Sequence, residues 1–105
     1  MKISFDVDNV LTHHWVFFQI LTEKLKSWGH TVGVVSGRSP ETIPPGPWDF
    51  IVGCPMGASY KDEHEKNRDW KAKAIKENEI DLHFDDMADW IMEGDYGKAK
   101  IINVK

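Results

Sequence analysis

The chain has 105 residues, 41% of them hydrophobic and 29% charged, which is room for one domain, residues 1–105, with a workable core and too little for two. A formal net charge of -4 disfavours bulk nucleic-acid binding, while leaving room for a local basic patch. The one cysteine, Cys54, allows no intrachain disulfide and fits a reducing, cytoplasmic setting; no apolar run approaches membrane-spanning length, and a strand pattern that begins by the second or third residue is expected to leave no room for a signal peptide.

The opening stretch, residues 3–12, starts as an apolar strand and then presents Asp6 and Asp8 where that strand should end. Residues two apart in an extended chain point to the same side, so the two carboxylates are expected to converge at the strand's C-terminal edge. Like charges that close repel unless a cation sits between them, one keeps a proton, or water separates them. A strand running into a solvated acidic turn is the plain alternative for a bare Asp-x-Asp.

Residues 15–28 carry apolar side chains at Trp15, Phe18, Ile20, Leu21, Leu25 and Trp28, the spacing of an amphipathic helix that starts near Thr12 or His13 and stops at Gly29. Residues 31–35 read as a valine-rich strand ending in Ser36, Gly37, Arg38 and Ser39. One helical turn over 41–43 precedes the break at Pro44, Pro45, Gly46 and Pro47. A third strand is expected over 49–53, a loop over 54–62, a charged helix over 63–78 and a fourth strand over 80–84 that again ends in paired acids, Asp85 and Asp86. A short helix over 88–92, a turn over 94–97 and a fifth strand over 99–104 complete the chain. Short strands alternating with helices predict an α/β fold, a parallel five-stranded sheet with helices on both faces, whose ligand site lies beyond the carboxyl ends of the strands.

Which lysine could reach such a site is decided by helical phase. Lys71 shares a stripe with Ala74, Ile75 and Asn78, whereas Lys73 groups with Lys76 and Glu77 on the expected wet face, so Lys71 is the first choice and Lys73 the second. Ser36 and Gly37 can bind phosphate or simply make a turn, and Arg38 can meet a phosphate through its planar fork or lie in solvent. His13 and His14 suit the mouth of a site better than a zinc centre, because adjacent histidines seldom converge. Trp15, Trp48, Trp70 and Trp90 are expected on helix faces and strand entries, in the core.

Taken in order, the strand ending in Asp6-x-Asp8, the strand ending in Ser36-Gly37-Arg38, a helix-borne lysine and the strand ending in Asp85-Asp86 resemble the four motifs of the haloacid dehalogenase superfamily of phosphatases and phosphotransferases. The resemblance runs from Ile3 to Asp89. It implies a three-layer, Rossmann-like fold and a phosphohydrolase that works through an aspartyl-phosphate. Asp6 would be the nucleophile and Asp8 the general acid and then base, with a pKa raised toward operating pH by its negative neighbours. Ser36 and the backbone N–H groups of Gly37 and Arg38 would bind the phosphoryl oxygens and Lys71 would neutralise them. A magnesium ion, Mg2+, would be held by Asp6, the backbone carbonyl of Asp8, and Asp85 or Asp86.

Neither the gap after Asp8 nor the one after Gly53 is long enough for a cap domain, so a minimal, capless enzyme is expected. An open site suits a bulky phosphorylated substrate, such as a nucleic-acid end or a phosphoprotein, unless a second subunit of a homo-oligomer supplies the lid. The competing expectation is a non-catalytic phosphate- or metal-binding module, or a subunit of a larger assembly, that keeps the fold. A receiver domain, whose acceptor aspartate ends a middle strand, is a distant third.

Overall fold

The computed structural model describes residues 1–54 and 64–104. The strands β1 (Lys2–Phe5), β2 (Thr31–Ser36), β3 (Phe50–Gly53), β4 (Leu82–Asp85) and β5 (Lys100–Asn103) form one sheet in the order β3-β2-β1-β4-β5. Every neighbouring pair is parallel. The first strand is therefore the central one, and the strand order reverses beside it, between β1 and β4. Parallel sheets leave a crevice at such a reversal, outside the carboxyl ends of the strands.

Alternation along β1 sends Ile3 and Phe5 to one face and Ser4 and Asp6 to the other. On the first face Ile3, Phe5, Val32 and Val34 pack with Phe18 of α1 (Trp15–Ser27), and Trp15, Trp48 and Phe84 close over them. The Phe5 ring lies 4.8 Å from Phe18 and 5.5 Å from Phe84, centroid to centroid, in tilted and edge-on contacts. On the second face Val35 packs with Ala72, Ala74 and Ile75 of α2 (His64–Glu77) and with Ile91 of α3 (Ala88–Ile91), while Trp70 and Trp90 lie partly buried against them.

Two expectations, one about a helix and one about a strand, need correction. Ile20 and Trp28 do not join the buried stripe of α1: they are 64% and 63% exposed, and Thr22 is buried instead, its hydroxyl donating to the Phe18 carbonyl at 2.6 Å. That bond satisfies the hydroxyl inside the helix, which is how a polar residue can occupy the inner face. The fourth strand also starts later than expected. Ile80 closes the end of α2, donating its N–H to the Ile75 carbonyl (3.1 Å) after Glu79 takes the left-handed φ of 54°. The same cap ends α1, where Gly29 has φ 90° and His30 donates to Leu25. The loop expected over 54–62 lies, beyond Cys54, outside the described residues.

Candidate active site at the β1–β4 crevice

Beyond β1 the chain makes a wide turn over Val7–Leu11, closed by the Thr12 N–H on the Val7 carbonyl (3.1 Å). Asp8 (φ -68°, ψ 131°) and Asn9 (φ 63°) leave helical geometry inside it. Asparagine tolerates the left-handed region better than other residues with a side chain, which explains how it serves at Asn9. Its amide then donates to Asp86 Oδ2 at 2.9 Å, tying the β1 loop to the β4 edge.

Asp6, 6% exposed, Asp85 and Lys71, 5% exposed, form the centre. Lys71 Nζ stands 2.9 Å from Asp6 Oδ1 and 2.7 Å from Asp85 Oδ2. Burial alone would pull the Lys71 ammonium toward neutrality, but the two carboxylates outweigh it and raise its pKa. For Asp6 burial prevails, with help from the Asp85 charge, and the carboxyl is pushed up to about 6 against the pull of Lys71. Burial acts on Asp85 in the same direction, yet Lys71 and His83 hold it below the usual carboxylate range. Its other oxygen, Oδ1, accepts the Met87 N–H at 2.9 Å.

Carboxylate oxygens of Asp6, Asp85 and Asp86 lie within 4.8 Å of one another. One cation at the usual metal–oxygen distance of about 2.0–2.6 Å could touch all three, and an all-carboxylate set suits a hard divalent ion. The Asp8 carboxylate is outside this trio. It does not converge on Asp6 but turns to Arg38, which donates to it through Nε (3.1 and 3.2 Å) and Nη2 (2.6 Å). Those bonds lower the Asp8 pKa, opposite to the expected rise. The reason is that β1 ends at Phe5 and the chain has left the extended conformation by Val7, so the alternation that would put Asp8 on the side of Asp6 no longer holds. Arg38 is accordingly not loose in solvent, and its Nη1 also donates to the Thr42 carbonyl (3.1 Å).

Ser36 is buried at the end of β2, and its Oγ accepts the Arg38 N–H at 3.1 Å across Gly37. Lys73 is on the wet face, 3.7 Å from Glu77. Asp89, His13 and His14 are exposed. Sequence reasoning gave no role to Ser4 or to His83, both buried beneath the acids. Ser4 Oγ lies 2.7 Å from His83 Nδ1, and His83 Nε2 lies 2.9 Å from Asp85 Oδ2. A signal was available: Ser4-x-Asp6 and His83-x-Asp85 put polar residues at the same period in two strands that should be wholly apolar.

Comparison of the chain with protein-family models, with curated proteins and with solved structures finds no match.

Proposed function

We propose that this protein is a divalent-cation-dependent phosphohydrolase of the haloacid dehalogenase type, with Asp6 as its nucleophile and Mg2+ as its cation. The observation that carries the reading is the meeting of Asp6, Lys71, Asp85 and Asp86 at the point where the strand order reverses. A structural role alone gives no reason to bury two carboxylates against one lysine and set a third beside them, since buried ion pairs contribute little net stability.

In this reading Asp6, Asp85 and Asp86 would hold the cation, which when bound would offset charge on the phosphoryl group. An Asp6 oxygen attacks phosphorus, and the bond to the leaving oxygen breaks as Asp8, having taken a proton from solvent on release from Arg38, protonates that oxygen. Asp8, now a carboxylate, takes a proton from water; the water oxygen attacks phosphorus, the Asp6–phosphorus bond breaks, and inorganic phosphate leaves. Lys71 keeps Asp6 oriented and offsets phosphate charge. The Asp8–Arg38 pair adds a step that the residue types did not suggest. An arriving phosphate competes with Asp8 for the Arg38 guanidinium, and an Asp8 freed from Arg38 beside a new negative charge regains a pKa fit for acid catalysis. Ser36, whose Oγ holds the Arg38 N–H, and the Gly37 N–H at the end of β2 complete the phosphate cradle. The substrate is a phosphate displayed on something large, such as a nucleic-acid end or a phosphoprotein, and the setting is cytoplasmic.

The second reading, a non-catalytic phosphate- or metal-binding module, is favoured by one observation: Asp8 is tied to Arg38 and kept ionised. One experiment separates the two. Hydrolysis of an aryl phosphate is measured with and without Mg2+ for the parent and for Asp6→Asn. Mg2+-dependent turnover in the parent, falling by on the order of 10³-fold or more in the variant, supports the enzyme. An inactive parent, or equal rates, sinks it.

A further inference from the structure

The catalytic reading leaves two buried polar side chains of the central strands unused. Ser4 and His83 are cross-strand partners in the β1–β4 register, on the face whose next residues outward are Asp6 and Asp85. An ionised Asp85 has no proton to give, so His83 Nε2 must carry the hydrogen and donate it to Oδ2 (2.9 Å). Nδ1 is then an acceptor, and the Ser4 hydroxyl, 2.7 Å away, is its donor. With a neutral ring, this arrangement of protons satisfies every atom of the chain. With Met87 N–H on Oδ1 and Lys71 on Oδ2, the Asp85 carboxylate is held from three sides.

A leucine at the His83 position would fill the space without the cost of burying an imidazole. The polar pair therefore needs a reason outside stability. We infer that Ser4 and His83 are positioning residues, a buried bracket that fixes the Asp85 carboxylate for a divalent cation shared with Asp6 and Asp86. The inference rests on the cation-dependent reading above and extends it one layer into the sheet. Both hydrogen bonds point toward the acids, so the bracket sets the direction in which Asp85 presents its oxygens. Outer partners of metal-binding carboxylates typically matter by about 10–100-fold in affinity.

The test is binding of Mn2+, followed by electron paramagnetic resonance and competed with Mg2+, together with thermal unfolding in chelator. His83→Leu is expected to bind Mn2+ about 10–100-fold more weakly than the parent. His83→Gln, whose amide can still donate to Asp85, recovers part of the loss. Ser4→Ala, which frees the ring to take its other tautomer, shows a smaller loss with little change in unfolding temperature. A long-range proton–nitrogen spectrum of the parent should place the His83 ring hydrogen on Nε2, and this readout stands even where a variant fails to fold. Hydrogen on Nδ1, or equal Mn2+ affinity in His83→Leu and the parent, overturns the bracket and leaves the phosphohydrolase reading intact. A parent that binds no Mn2+ overturns both.

Discussion

The two faces of the sheet are built on opposite plans. Against α1 the strands present Ile3, Phe5, Val32 and Val34 to a set of rings, and the contact is dry and aromatic. Against α2 the central strands present Ser4, Asp6, His83 and Asp85, and only the flanks, through Val35, Ala72, Ala74 and Ile75, are apolar. Apolar burial is worth about 25 cal/mol per Å², whereas a buried ionic chain gives little or negative net stability. The difference teaches that the α1 face holds the fold together, and so lets the α2 face carry charges that a core of this size would otherwise reject.

The sharpest way to break the comparison is to remove a ring from the first face. Phe5→Ala should cost about 3–5 kcal/mol in denaturant unfolding, and the folded fraction should keep the cation affinity of the parent. A loss below about 1 kcal/mol would mean that the α1 face is not the stabilising one.

Next comes the centre of the second face. Lys71→Met leaves Asp6 and Asp85 facing each other uncompensated, a change expected to cost about 3 kcal/mol in chelator. Unlike the first loss, this one should be largely restored by millimolar Mg2+, because a cation bound only by the folded state stabilises it by mass action. Unfolding curves with and without Mg2+ decide the point.

A pH titration gives a smaller and more specific effect. Asp6, pushed up to about 6 mainly by burial, binds its proton more tightly folded than unfolded. The sign follows: between about pH 4 and 6 the folded protein holds the extra proton, so Asp6 contributes a loss of stability as pH rises through that window. Asp85, with its depressed pKa, contributes the opposite sign, with its stabilisation lost only on further acidification. Turnover should show an acid limb near pH 6 at low Mg2+ that moves to lower pH as Mg2+ saturates, since the cation favours the ionised form. A limb that stays in place would separate Asp6 from the cation.

The smallest expected change lies outside both faces. Glu79 holds a left-handed φ of 54° at the end of α2, and Glu79→Gly should raise stability by roughly 0.5–1 kcal/mol without altering activity.

Much of this could be read along the chain because it depends on neighbours. Alternation in β1 and the phase of α2 are local periodicities, and the helical phase does bring Lys71 onto the inner stripe, within 2.9 Å of Asp6. Where a residue's surroundings come from distant segments, local reading failed. The side of α1 left bare at Ile20 and Trp28 could not be told from the stripe, because only the packed sheet defines which side is inside.

The sequence by itself determined that five short strands alternate with helices, that acids stand at the ends of the first and fourth, and that one lysine is in phase to meet them. Tertiary structure alone decided the strand order, the turning of Asp8 to Arg38 thirty residues away, and the pairing of Ser4 with His83 beneath the acids. The physical reason is range. Side-chain direction along a strand or helix is fixed by backbone period within a few residues, while the partner of a buried polar group is fixed only when remote segments are brought together and each buried donor must find an acceptor.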